Sequence, residues 1–240
     1  MNAEYSSAFI GAIFPHMVFS MKHMRPALKI DRVKDFKITG SGKSNAWKKA
    51  QWQTLSRLGE GKLQYPTKVK ALYSATGMYF LFDCTDKKLT CNMTSDFDDL
   101  YKQDVVEVFL WPEKSQELYF EYEASPLGRQ LPILVPNHKG TFFGWLPWHF
   151  EGDRRTEVKT SIRGGNKKAM SEVKGWMAEI YIPFTLMKGL RNVPPVAGTT
   201  WRTNMYRIDY DQKPRSLWAW SNTVRGTFHD IHNFGTFMFE

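Results

Sequence analysis

The sequence has few cysteines and no cluster of metal-binding side chains with the spacing of a zinc site. Cys84 and Cys91 are its two cysteines. Such a pair forms one disulfide across a loop or remains as two free thiols, one of them buried in a strand, so it leaves the cellular compartment open. Zinc-finger classes are excluded.

A hydrophobic run long enough to cross a membrane is also missing. Residues 8–20 (AFIGAIFPHMVFS) are apolar, but a spanning helix needs roughly 20 such residues, and Pro15 interrupts the run. Glu4 precedes the run, and the basic n-region of an export signal is missing. The run is therefore a poor export signal. We therefore predict no membrane span and a poorly ordered extension over residues 1–24. We also predict a cytoplasmic protein, unless the start is misassigned, Met24 being another candidate.

The positive charge of the chain is not arranged as a nucleic-acid-binding surface. The formal net charge is +9, which permits an acidic partner. Yet the basic residues are scattered, and no basic stripe with interleaved aromatic residues occurs. We expect a basic solvated surface and no nucleic-acid partner.

Aromatic residues and alternating strands are what the sequence has in abundance. It contains 9 Trp, 10 Tyr and 17 Phe, more than burial in a core accounts for, and aromatic rings also make binding platforms. About ten segments alternate or read as buried strands, few helical stretches occur, and no internal repeat is present. The pattern predicts an all-β protein, a single β-sandwich over residues 25–240 with short helical turns such as 45–52, where Trp47 and Trp52 are expected core anchors.

One hairpin, residues 104–123 (DVVEVFLWPEKSQELYFEYE), combines a core face with a polar face. Read with period 2, its even positions are apolar. Its odd positions carry carboxylates and rings, and a polar turn near Lys114 separates the two strands. The candidate site residues on the odd face are Glu107, Tyr119, Glu121 and Glu123.

With a turn centred near Lys114, Glu107 lies roughly across from Glu121. Like charges directly opposed destabilise a ladder, so a cation, an arginine or a hydroxyl-rich ligand must offset them. A purely structural alternative is that these carboxylates form ion pairs with Arg207, Arg202 or Arg225.

An acidic loop precedes the hairpin. Asp96, Asp98 and Asp99 occur within four residues. The loop is either solvated or a calcium site, since calcium prefers several oxygen ligands, although the spacing is not that of an EF-hand.

Several stretches taken together, over residues 40–240, resemble the family 9-like carbohydrate-binding modules, the superfamily attached to xylanases and related to DOMON-like sandwiches. They occur in the family's order: Trp47-x-x-Ala50; Thr67-x-Val69-x-Ala71-Leu72-Tyr73 with Met78-Tyr79-Phe80; Gln103-Asp104-x-Val106-Glu107-Val108-Phe109; Gly175-Trp176-x-Ala178-Glu179-Ile180-x-Ile182-Pro183-Phe184; Gly198-x-x-Trp201-x-x-Asn204; and Phe228-His229-Asp230-x-x-x-Phe234-Gly235.

The resemblance implies a jelly-roll-like sandwich and a sugar held between two aromatic residues, which fall on Tyr101 and Phe228. The family's central-strand glutamate matches Glu107, and an arginine of the family matches Glu121, a reversal of charge. The family's later polar residue falls near Tyr206 or Arg207. The complete set of expected ligand-binding residues is Tyr101, Glu107, Tyr119, Glu121, Glu123, Tyr206, Arg207, Phe228 and His229.

The implied function is non-catalytic binding of a plant-type or host oligosaccharide or polysaccharide, such as xylan, in support of polysaccharide catabolism. Hydrolysis by Glu107 and Glu121 is the first alternative, because carboxyl groups about 5 Å apart suit a retaining glycosidase. Haem binding, as in related sandwich domains, is the second, with Met78, Met205 and His229 as ligands. Apart from the iron of that haem alternative, calcium is the one metal that the sequence suggests.

Overall fold

The computed structural model describes residues 25–61, 64–224 and 226–240, and over these ranges the chain is built from β-strands and 3-10 turns. The four 3-10 turns are Asn45–Lys48, Leu100–Lys102, Gly152–Arg154 and Ile231–Asn233. The fifteen strands are β1 (Ala27–Ile30), β2 (Gln53–Thr54), β3 (Ser56–Leu58), β4 (Thr67–Tyr73), β5 (Gly77–Cys84), β6 (Val105–Trp111), β7 (Leu118–Ala124), β8 (Gln130–His138), β9 (Thr141–Phe142), β10 (Leu146–Pro147), β11 (Glu157–Arg163), β12 (Gly175–Pro183), β13 (Thr200–Asp209), β14 (Ser216–Ala219) and β15 (Gly235–Phe239).

The strands form two sheets. The larger sheet has the order β1-β15-β13-β6-β7-β8-β10; β14 pairs with β13 and β3, and β9 pairs with β8. The smaller sheet has the order β11-β12-β5-β4-β2. The β1–β15 pair is parallel, and the other strand pairs are antiparallel. The predicted all-β sandwich is therefore confirmed; the strands missed from the sequence, β1, β2, β3, β9 and β10, have two to four residues each.

The main core lies between the inner faces of the two sheets. The near-continuous apolar strand β5 is buried on both sides, as its sequence predicts. Phe80 and Phe82 join the inner core, whereas Tyr79 and Leu81 pack into a smaller cluster under the segment that precedes β2. A further buried cluster covers the outer face of the larger sheet, beneath long loops. That cluster surrounds the candidate site.

The two tryptophans expected as anchors differ in their environment. Trp47 is 2% exposed and donates a hydrogen bond from Nε1 to Oε1 of Glu179 at 2.6 Å. Glu179 also accepts from the backbone N–H of Thr39, so one buried carboxylate fixes the amino-terminal segment to the smaller sheet. Trp52 is 37% exposed, with the ammonium group of Lys68 5.2 Å from its ring centroid, and its prediction as a core residue is wrong. The helix predicted around it is limited to Asn45–Lys48, because the chain enters β2 at Gln53.

Both cysteines are buried as free thiols. Burial raises the pKa of Cys84 and of Cys91 to about 12. Among the described residues, helices are short 3-10 turns, and none has the length and hydrophobicity to cross a bilayer. Residues 1–24, for which we predict a poorly ordered extension, lie outside the described ranges.

Candidate functional site

The β6–β7 hairpin separates its two faces as the alternation predicts. Val106 and Val108 point into the main core, while Glu107 and Phe109 lie on the outer face of the larger sheet. The register differs from the prediction, because Glu107 pairs with Glu123 and Glu121 pairs with Phe109. The prediction that Glu107 lies across from Glu121 is therefore wrong.

The turn explains this shift in register. Glu113 accepts a hydrogen bond at its carbonyl from the backbone N–H of Gln116, and its side chain accepts from the N–H of Ser115. These bonds form a turn over residues 113–116, and the pairing of Glu107 with Glu123 centres the hairpin on Ser115 instead of Lys114. Moving the centre by one residue changes the pairing by two, so the partner of Glu107 changes while every side chain keeps its face.

A cavity of about 300 Å³ opens over the outer face of the hairpin. Its floor carries the three carboxyl groups of Glu107, Glu121 and Glu123. Aromatic rings from the sheet and from three loops enclose it, namely Tyr101, Phe109, Phe142, Trp145 and Phe228. Six of the nine predicted ligand-binding residues line this cavity: Tyr101, Glu107, Glu121, Glu123, Phe228 and His229.

The three glutamates are deeply buried and poorly compensated. Glu107, Glu121 and Glu123 are 2%, 4% and 1% exposed. Burial raises the pKa of Glu107 to about 8 and raises the pKa values of Glu121 and Glu123 well above the usual range. The neighbouring carboxyl group of Glu107 raises the pKa values of Glu121 and Glu123 further. Burial therefore favours the protonated forms of the carboxyl groups on the floor of the cavity.

His229 is neutral and is fixed in place by two neighbours. Its Nδ1 is 2.5 Å from the hydroxyl of Tyr119, and its ring stacks on Phe142 with centroids 4.1 Å apart. Burial lowers the pKa of His229 to about 4. Tyr119 itself is 1% exposed and lies behind the histidine, so it positions His229 and does not line the cavity.

Tyr206 has the same supporting role for Phe228. The two rings stack with centroids 4.0 Å apart, and the hydroxyl of Tyr206 donates to the carbonyl of Phe228 at 2.7 Å. Asn204 donates to that hydroxyl from below, so Tyr206 is fully buried and does not reach the cavity. Tyr101 follows Leu100 in a 3-10 turn, and its backbone carbonyl accepts from the hydroxyl of Tyr210.

Arg207 does not belong to the site. Alternation along β13 places it on the face opposite Tyr206, between the two sheets, where it is fully buried. Its guanidinium donates to Asp86 at 3.1 Å and to Asp209 at 2.6 Å. Arg207 therefore does not pair with the carboxyl groups of the site. Arg202 does not pair with them either, because it donates to the carbonyl of Gly235. Arg225 lies outside the described residues.

Several residues that line the cavity are outside the predicted set, among them Phe142, Trp145 and Arg215. Phe142 and Trp145 come from an aromatic loop whose density of rings is visible in the sequence. Arg215, just before β14, is exposed, donates to the hydroxyl of Tyr210 at 2.9 Å and favours ionisation of Glu107 from a distance. Only the folded chain brings these segments to the hairpin.

The acidic loop does not gather the expected calcium ligands. Asp96 accepts from the N–H of Gln130, Asp98 from the N–H of Ser95, and Asp99 from the ammonium group of Lys102. Within the described ranges, the acidic residues that bring one carboxylate oxygen each to within 4.8 Å of the others are instead Asp86, Asp209 and Asp211.

That acidic group could hold a metal, but it already has a cation. The Arg207 guanidinium contacts two of its three carboxylates. Asp211 accepts from the hydroxyls of Tyr65 and Thr90. We therefore interpret the three aspartates as a network at one edge of the sandwich whose negative charge is compensated by Arg207.

The haem-ligand set is not assembled either. Met78 and Met205 are fully buried in the main core between the sheets. His229 lies in the cavity on the outer face of the larger sheet. A sheet separates the methionines from the histidine, so these three side chains do not converge on one iron.

Comparison with known families decides where this arrangement belongs. The model of the carbohydrate family 9 binding domain-like family matches residues 38–240. The chain is a member of this family. A search of curated proteins found no match.

Solved structures share the family 9 fold. A candidate carbohydrate-binding protein from Bacteroides uniformis ATCC 8492 is 17% identical, with a TM-score of 0.75, over 90% of this chain and 100% of that one. A family 9 carbohydrate-binding module from Caldicellulosiruptor kristjanssonii in complex with cellotriose is 16% identical, with a TM-score of 0.62, over 90% and 94%. A family 9 module from Caldicellulosiruptor kristjanssonii in complex with glucose is also 16% identical, with a TM-score of 0.61, over 90% of this chain and 96% of that one. At these identities the likeness establishes the sandwich fold.

Proposed function

We propose that this family 9 domain binds a saccharide in the cavity on the outer face of its larger sheet, without cleaving it. The observation that carries the proposal is the convergence of five aromatic rings and three buried carboxyl groups on one cavity. Sugar rings stack their C–H faces on aromatic surfaces and exchange hydrogen bonds with planar polar groups. A cavity of about 300 Å³ with a few polar groups among apolar walls is typical of small-ligand sites.

The carboxyl groups also have unused hydrogen-bonding capacity. Oε2 of Glu121 and Oε2 of Glu123 have no hydrogen-bond donor among the described residues. Buried polar atoms without partners are destabilising, at roughly 1–3 kcal/mol each. Hydroxyl groups of a bound sugar would supply these partners, which explains how a fold retains three glutamates in such a position.

Electrostatics favours binding over hydrolysis. A retaining glycosidase needs one ionised nucleophile and one protonated acid about 5 Å apart. The opposed pair of this hairpin is Glu107 with Glu123, and burial raises the pKa of both carboxyls as well as that of Glu121. An ionised nucleophile is therefore scarce near neutral pH. Hydrolysis by Glu107 and Glu121 remains the alternative that the assay below addresses.

The experiment is a saccharide array read with the purified chain, combined with a reducing-sugar assay. Cellotriose and glucose head the panel because the solved Caldicellulosiruptor modules are in complex with them, and xylan-derived oligosaccharides test a role in xylan catabolism. We expect retention of at least one saccharide and no release of reducing ends. Release that disappears in both Glu107→Gln and Glu121→Gln, and persists in the exposed control Glu157→Gln, would contradict binding without cleavage.

A further inference from the structure

The cavity contains more acid than a neutral ligand requires. Three carboxyl groups from two neighbouring strands meet on its floor, each less than one-twentieth exposed. Two of their oxygens, Oε2 of Glu121 and Oε2 of Glu123, lack a donor in the described part of the chain. The described residues therefore supply too few hydrogen-bond donors to the floor, and too few positively charged donors in particular.

Two basic side chains of the described residues, Arg215 and His229, line the cavity, but neither supplies a paired positive charge to its floor. The Nδ1 atom of His229 is 3.9 Å from Oε2 of Glu121, but it is engaged by the hydroxyl of Tyr119, and burial lowers the pKa of His229 to about 4. Arg215 is exposed at the rim and donates to the hydroxyl of Tyr210. Arg207 is on the other face of the sheet, paired with aspartates.

The walls suit a cation as well. The faces of aromatic rings attract positive charge, and the attraction strengthens when water is excluded. Phe109 forms part of the floor, and Tyr101, Phe142 and Phe228 stand around it. An acidic floor within an aromatic wall is the usual composition of a site for an organic ammonium group.

We propose that the cavity takes a sugar that carries a free ammonium group, a protonated 2-amino-2-deoxyhexose or an oligomer of it, with the ammonium among Glu107, Glu121 and Glu123. The proposal rests on saccharide binding by this cavity and specifies its ligand. It also excludes uronic acids, whose carboxylate would meet the same three acids.

Binding of such a ligand displaces a proton. In the empty cavity Glu107 is largely protonated near neutral pH, because burial raises its pKa to about 8. The groups facing it are Glu123 and Glu121 from β7, Tyr206 from β13 and the distant Arg215. An arriving ammonium keeps its three protons and stabilises the carboxylate, so the carboxyl proton passes to solvent. A neutral sugar leaves the proton in place.

The test is calorimetric titration of D-glucosamine, D-glucose and N-acetyl-D-glucosamine into the full chain at pH 6.5. Repeating each titration in two buffers with different ionisation enthalpies gives the number of protons released. We expect glucosamine to bind about tenfold more tightly than the two neutral sugars, since hydrogen bonds between charged groups are roughly twice as strong as neutral ones. We also expect release of about one proton with glucosamine and none with the others.

Variants link the preference to the carboxyl groups. In Glu107→Gln and Glu123→Gln the ratio of the glucosamine to the glucose affinity should fall towards one, and the proton release should fall with it. The exposed Glu157→Gln on β11 should keep both. Two variants are used so that misfolding of one leaves the other informative.

The outcomes separate the two proposals. If glucose binds as tightly as glucosamine and neither releases a proton, the ammonium proposal falls and saccharide binding stands. If glucosamine binds more tightly but both glutamine variants keep the preference, the carboxyl groups are not its cause and the proposal also falls. If no saccharide of the panel or the array binds, both proposals fall.

Discussion

The buried acids of the cavity predict that the empty protein loses stability as the pH rises. Glu107 has an ordinary pKa of about 4.5 in an unfolded chain and a pKa of about 8 in the folded one. Between these values the folded state holds a proton that the unfolded state has lost. Stability therefore decreases as the pH rises through this window, by about 1.4 kcal/mol per pH unit for one full proton.

Glu107→Gln isolates this effect from the other buried acids. Asp86 and Asp104, whose pKa values burial raises to about 7 and about 8, give the wild type a slope of the same sign. The amide of glutamine resembles the protonated acid and does not ionise. We expect the variant and the wild type to have similar stability at pH 5 and the variant to be more stable by about 3 kcal/mol at pH 7.

The assay is urea denaturation followed by tryptophan fluorescence at pH 5, 6 and 7, without sugar. Glu157→Gln, which removes an exposed acid from the smaller sheet, should follow the wild type at every pH. A difference between wild type and Glu107→Gln that does not change with pH would refute the reasoning. It would mean that Glu107 is ionised and compensated in the folded protein.

Three further perturbations have expected outcomes. Arg207→Met should cost about 3–5 kcal/mol of unfolding free energy near pH 8 and less at pH 5, because it leaves Asp86 and Asp209 without their cation; pH-dependent urea denaturation measures this. Trp47→Phe removes the hydrogen bond to the Glu179 carboxylate and should lower stability by about 2 kcal/mol in urea denaturation, and by less in a background that already lacks that carboxylate. Calcium should leave the melting temperature unchanged, since Arg207 already compensates the acidic cluster; a rise that chelator reverses would show otherwise.

Alternation in the sequence predicts which face of the sheet each side chain occupies, but it does not predict the register between neighbouring strands. Period-2 alternation is enough to place Glu107, Glu121 and Glu123 together on one face, because that face follows from each strand alone. The partner of each residue depends on where the hairpin is centred, and a difference of one residue there changes every pair. The assignment of Glu107 opposite Glu121 failed for that reason.

Alternation also limits which neighbours can share a site. Tyr206 and Arg207 are adjacent on β13, so they point to opposite faces, and only one of them belongs beside the hairpin. Of the two buried aspartates that hold Arg207, Asp209 lies two residues further along the same strand, whereas Asp86 comes from a distant segment. The same applies to the walls of the cavity, where Phe142 and Phe228 are brought together by loops whose paths depend on the whole sandwich.

The central claim is that saccharides bind in the cavity over the hairpin, and one comparison tests it most directly. The saccharide retained best on the array is titrated calorimetrically into the wild type, Tyr101→Ala and Trp52→Ala, with melting temperatures measured alongside. Tyr101 lines the cavity, whereas Trp52 is a partly exposed aromatic residue beside the smaller sheet. We expect Tyr101→Ala to weaken binding at least about tenfold with a folded domain, as for an aromatic contact at the centre of a site, and Trp52→Ala to bind like the wild type. Unchanged binding by Tyr101→Ala, or an equal loss in both variants, would contradict the claim.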